Sequence, residues 1–172
     1  MTQTSEEAHP LRKVFIAGLG NPDRGDDGIG MVVARKLDGR LPDDVAILPR
    51  SGDMVALIEE WAGFDALICV DAAAPMGTPG RIHRIDLTAD ELPREVSLAS
   101  SHSFGLAVAI GLARILERAP RDIVVYAIEG CCFDTGAALS PAVAAAAADA
   151  ADRIAAEACR LRQRASESAP EE

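Results

Sequence analysis

Short apolar runs alternate along this chain with segments whose apolar residues recur at helical spacing, and glycine, proline and small polar residues separate them. Lys13-Val-Phe-Ile-Ala-Gly18 is stopped by Leu19-Gly-Asn-Pro22, which predicts a strand entering a loop. From Gly28 to Leu37, the residues Ile29, Val32, Val33 and Leu37 share nearly one helical face. Arg35 and Lys36 fall toward the last turn, where the backbone dipole favours cations, so a helix follows. Val45-Ala-Ile-Leu48 predicts a second strand, and Met54 to Trp61 a second helix with Asp53 at its N-cap. Phe64 to Val70 is a near-continuous apolar strand ending at Asp71, as expected where helices cover both faces. Gly80 to Leu87 mixes Arg81, His83 and Arg84 with Ile82, Ile85 and Leu87, the pattern of a half-exposed edge strand. Phe104 to Leu116 reads as a helix, Asp122 to Ile128 as a buried strand, and Pro141 to about Arg162 as a long helix opened by Ser140 as cap and a first-turn proline. This order predicts an α/β fold with a mostly parallel sheet of about five strands and helices on both faces.

Composition narrows the picture. A chain of 172 residues with 49% hydrophobic content is most simply one domain, residues 13–165, between flexible tails at 1–12 and 166–172. Lys plus Arg number 17 against 27 Asp plus Glu, a net charge of -10, which disfavours nucleic acid and anionic lipid as partners. The polar, acidic start lacks the basic and apolar regions of a secretory signal. No uncharged apolar run approaches the roughly 18 residues of a membrane span, so the expected location is the cytoplasm. Cys69, Cys131, Cys132 and Cys159 form no paired C-x-x-C framework. Cys69 lies inside an apolar run and reads as a small buried hydrophobe, and a structural role is also preferred for Cys131 and Cys132, although they follow a strand and could reach its rim.

Chemistry concentrates where strands end. In open α/β sheets ligands bind beyond the carboxyl ends of the strands, where strand order reverses. Asp27, Asp71 and His102 each follow an apolar run or precede a helix at that rim. The loop Gly18-Leu-Gly-Asn-Pro-Asp-Arg-Gly-Asp-Asp-Gly-Ile-Gly30 fails the dinucleotide pattern, because Asp23 stands where the third glycine belongs, and it holds no Gly-Lys-Ser or Gly-Lys-Thr. Asp26 and Asp27 also place negative charge where a phosphate would bind; helix capping accounts for one of them. An unpartnered carboxylate at Asp71 would be costly to desolvate. Two carboxylates and an imidazole leave positions open on a divalent ion such as nickel or zinc, which suits a site that meets a further ligand. His9 in the tail and His83 on the edge strand fit less well. No Gly-x-Ser-x-Gly elbow supports a serine hydrolase.

Gly18-Leu-Gly-Asn21, Asp26-Asp-Gly-Ile-Gly30, Val70-Asp-Ala72, Ser101-His102 with Gly105-Leu106, and Leu139-Ser-Pro141 resemble, in order, the motifs of the [NiFe]-hydrogenase maturation endopeptidases. The resemblance runs from about Lys13 to the C-terminal helix. It implies a three-layer α/β/α sandwich and a protease that removes a C-terminal extension from the hydrogenase large-subunit precursor after nickel insertion. It also implies that Asp27, Asp71 and His102 contact nickel held by precursor thiolates, so that the protease itself is purified metal-free or with an adventitious divalent cation. Asn21 is a candidate for substrate binding. The family's Asp-Gly-Gly-Thr type segment after the second strand is replaced here by Pro49-Arg-Ser-Gly-Asp-Met54, and substrate selection is assigned to Ser51, Gly52 and Asp53. Two alternatives stand beside this reading: a non-proteolytic nickel- or hydrogenase-binding chaperone, and, more remotely, a peptidyl-tRNA hydrolase-like enzyme, whose Thr-Arg-His-Asn segment is absent.

Overall fold

The computed structural model describes residues 11–50, 54–88 and 101–164. Five strands form one sheet: β1 (Val14–Leu19), β2 (Val45–Arg50), β3 (Ala66–Ala73), β4 (Ile82–Asp86) and β5 (Asp122–Glu129). Four helices accompany them: α1 (Ile29–Leu37), α2 (Met54–Glu60), α3 (Ser101–Ile115) and α4 (Pro141–Gln163). A 3-10 turn, Gly25–Gly28, leads into α1.

The strand order is β2-β1-β3-β5-β4. All pairings are parallel except that of β4 with β5, which makes β4 the antiparallel edge its mixed composition predicted. The chain turns from β1 outward to β2 and then returns to the far side of β1 as β3. The reversal of strand order therefore falls between β1 and β3, and a crevice is expected above that gap.

Side chains alternate across the sheet, so each central strand feeds two cores. Val14, Ile16, Ala66, Ile68, Val70, Val124 and Tyr126 pack with Ile29, Val33 and Leu37 of α1 and with Val143, Ala147, Ile154 and Leu161 of α4. Phe15, Ala17, Leu67, Cys69, Ile123 and Val125 pack on the other face with Leu57, Ile58 and Trp61 and with Leu106, Ala109, Ile110 and Ala113 of α3. The result is the α/β/α sandwich expected from the motifs.

Glycines set how closely α1 approaches the sheet. A Cβ at Gly30 would fall 2.2 Å from the Leu19 carbonyl oxygen and 2.3 Å from that of Val70. Only a residue without a side chain lets the helix rest over the β1–β3 gap, and this contact fixes the turn before it against the rim.

Four expectations are corrected. Arg12 is no part of a loose tail: its amide donates to the Arg162 carbonyl at 3.0 Å, and its buried guanidinium pairs with Asp122 at 2.6 Å. β3 does not stop at Asp71 but runs on through Ala72 and Ala73, which register with Ile128 and Glu129 of β5. α3 starts at Ser101, so His102 occupies its first turn rather than the loop before it. Ser140 stands at the N-cap of α4 but makes no capping bond with its side chain. Tail residues 1–10 and 166–172 and the predicted cap Asp53 lie outside the described residues.

Candidate functional site

Four acids are buried at the carboxyl end of the sheet: Asp26 and Asp27 in the turn before α1, Asp71 in β3, and Glu129 at the end of β5. Burying a carboxylate is expensive unless donors or cations replace its water, so the bonding of each one indicates its role.

Asp26 is fully saturated. Its Oδ2 accepts from the amides of Cys131 (2.8 Å) and Cys132 (2.9 Å) and from the Ser140 hydroxyl (3.0 Å), and its Oδ1 accepts from the Ser140 amide (2.7 Å). Burial works to raise its pKa, but the amides of Cys131, Ser140 and Cys132 outweigh it and hold the carboxyl below its ordinary range. The Asp26 amide donates in turn to the Cys132 carbonyl at 2.8 Å. Asp26 thus staples the turn before α1 to the loop between β5 and α4. Helix capping is overturned for both aspartates, since neither the 3-10 turn nor α1 has a side-chain capping bond. The Ser140 hydroxyl, expected as a cap, is turned to Asp26 instead.

Glu129, which the sequence reading did not single out, is the second acid held by backbone amides. Its Oε1 accepts from the Met76 and Thr78 amides, both at 2.6 Å. Burial pushes its pKa up, while the amides of Thr78, Met76 and Gly77 and the nearby His83 pull it down further, leaving it below its ordinary range. A glutamate closing a wholly buried strand immediately before a glycine was the available signal.

Asp27 is bonded differently. Its side-chain Oδ2 accepts from the Asn21 amide at 3.0 Å, but its Oδ1 is buried with no hydrogen-bond partner. Asn21 contributes that amide, while its own side-chain oxygen accepts from the Asp23 amide at 2.9 Å and so shapes the loop. Asp71 Oδ1 accepts from the Ala72 amide at 2.8 Å. The residue shares strand parity with Leu67, Cys69 and Ala73, and therefore belongs to the sheet face covered by α3. Gly20 packs between the two segments: at φ 119°, a Cβ there would fall 1.8 Å from the Asp27 backbone carbonyl oxygen and 3.7 Å from Asp71 Oδ1. His102 is the second residue of α3, over the face to which Asp71 belongs. Its side chain, and all of Ser51, Gly52 and Asp53, lie outside the described residues. Among the described residues no three His, Cys, Asp or Glu side chains gather closely enough to hold a metal ion.

The cysteines divide by place. Cys69 is buried in β3, and burial, reinforced by Asp71, pushes its thiol far above the ordinary range. Cys131 is exposed and Cys132 half-buried, and what they give to Asp26 is their backbone amides.

A mostly parallel sheet with buried acids at its carboxyl end defines an α/β protein of the class whose ligands meet that rim. Comparison with known proteins makes the class specific. The hydrogenase maturation protease family model matches residues 33–157, a span that contains Asp71 and His102 and begins after Asp27. The chain belongs to this family. It is similar to an endopeptidase from Escherichia coli (25% identity, TM-score 0.74, covering 86% of this chain and 92% of the other). It is also similar to a [NiFe] hydrogenase maturation protease from Thermococcus kodakarensis KOD1 (26% identity, TM-score 0.69, covering 87% and 94%). A curated Methanocaldococcus jannaschii protein, named for hydrogenase maturation protease activity on a provisional basis, is 36% identical over 87 residues; the match spans 48% of this chain and 54%, about half, of that relative.

Proposed function

We propose that this protein is an endopeptidase that removes the C-terminal extension of a [NiFe]-hydrogenase large-subunit precursor once nickel is in place. The observation that carries this reading is the Asp27 carboxylate, 2% exposed, with one oxygen lacking a hydrogen-bond partner in the turn at the carboxyl end of the sheet. A buried acceptor left open is costly and calls for an explanation, and a cation arriving from outside supplies one.

Nickel enters this scheme as cargo of the substrate. Carboxylate oxygens of Asp27 and Asp71 and the imidazole of His102 suit a divalent ion of its kind, while softer thiolates hold it on the precursor. The amide of Asn21 orients Asp27 by engaging only one of its oxygens. Ser51, Gly52 and Asp53, after β2, select the substrate. Two neighbouring carboxylates repel each other when the site is empty and gain coordination when the precursor presents a cation, so docking discriminates loaded from unloaded precursor.

The test is to incubate the purified protein with nickel-loaded and with nickel-free precursor, chelator present in the second case, and to weigh the products by mass spectrometry. Loss of the extension from the loaded form alone is expected. Equal cleavage of both forms would refute the nickel checkpoint, and binding without cleavage would mark a chaperone instead.

A further inference from the structure

The loop between β3 and β4 is held by more than its own connectivity. Oε1 of Glu129, a residue 1% exposed, accepts two backbone amides from it, those of Met76 and Thr78, both at 2.6 Å. The Gly80 amide donates to the Glu129 carbonyl at 2.7 Å, and the Glu129 amide to the Arg81 carbonyl at 2.9 Å. Residues 75–79 are nevertheless exposed to solvent. A connection that merely joined two strands would not require a buried charge beneath it, because the desolvation cost is large and a turn residue serves as well.

The position of this loop gives the clamp a purpose. It begins immediately after Ala73, two residues beyond Asp71, so a peptide lying across the crevice meets it next. Met76 is 43% exposed. Of the other exposed large apolar side chains among the described residues, Val108, Leu112, Ile115 and Leu116 lie on or just after α3, and Leu11 precedes β1. Met76 is the one at the carboxyl-end rim. A flexible thioether adapts to apolar partners of varied shape, and a loop already fixed by hydrogen bonds loses little further entropy on binding.

We propose that the loop 74–80 is a wall of the substrate cleft, with Met76 contacting the extended precursor chain and Glu129 acting as the positioning residue that holds the loop in place. This rests on the endopeptidase reading above. The test measures kcat and KM for nickel-loaded precursor with the full chain and four variants, together with hydrogen exchange at the Met76 and Thr78 amides. Met76→Ala and Met76→Glu should raise KM, the latter by about tenfold, with kcat altered less than about twofold and the melting temperature unmoved. Glu129→Ala should raise KM comparably and speed exchange at both amides. Glu129→Gln, which keeps an oxygen for them, should recover most of each effect. If Glu129→Ala fails to fold, the Met76 variants decide. Wild-type cleavage with KM unchanged in Met76→Glu overturns this inference alone, whereas a wild-type protein that leaves loaded precursor uncut overturns the inference and the function together.

Discussion

Asp26 and Asp27 are neighbours in sequence and equally hidden from solvent, yet they are bonded in opposite ways. Four donors from the β5–α4 loop saturate Asp26, while Asp27 receives one amide and keeps an oxygen open. The same contrast separates the two ends of the sheet. At the amino end the buried Asp122 is neutralised by Arg12 at 2.6 Å and Arg164 at 2.5 Å. A buried acid that the fold uses for itself is satisfied by the fold; one left incomplete costs stability that function must justify.

The sharpest way to break this comparison is to remove the charge from each aspartate in turn. Asp27→Asn should cut processing of nickel-loaded precursor at least about a hundredfold, since it removes the metal contact we propose for Asp27. The same change should leave the melting temperature equal or higher, because it relieves an uncompensated buried charge. His102→Ala should behave alike in the cleavage assay. A drop in melting temperature for Asp27→Asn would mean that the residue is structural.

Asp26→Ala should do the reverse. It strands three amides and a hydroxyl, so we expect a loss of about 3 kcal/mol in urea unfolding, or roughly 10 °C in melting temperature. Stability indistinguishable from wild type would dissolve the contrast.

Acid titration refines it. The folded-state pKa of Asp26 is depressed, so its contribution is complete above the unfolded carboxyl value and is lost as pH falls through the folded one. The stability gap between wild type and Asp26→Asn should be flat near neutrality and narrow below about pH 4, measured by denaturant unfolding at each pH. The smallest effect is expected of the double variant Cys131→Ala with Cys132→Ala. It keeps both amides on Asp26, so cleavage should stay within about twofold of wild type.

Much of the fold was legible because periodicity reports burial. The unbroken apolar stretch before Asp71 and the mixed run around His83 correctly separate a central strand from an edge. What escaped was tertiary. An aspartate next to a helix start looks like a cap, and nothing local reveals that the partners of Asp26 lie 105 to 114 residues away. Ser140 was misread for the matching reason, its hydroxyl being committed to Asp26. Glu129 was missed because a charged residue at a strand end ordinarily faces water. Burial of Asp71 near the end of an apolar strand was legible because strand topology, which sequence does carry, sets where that strand ends.

Nickel-edge X-ray absorption on the loaded precursor, before and after adding protease under conditions that block turnover, tests most directly whether Asp27 is open for the substrate's metal. New oxygen or nitrogen ligands on nickel should appear with the wild-type protein and be reduced with Asp27→Asn. A nickel shell unchanged by wild-type protease that nonetheless binds the precursor would contradict the account.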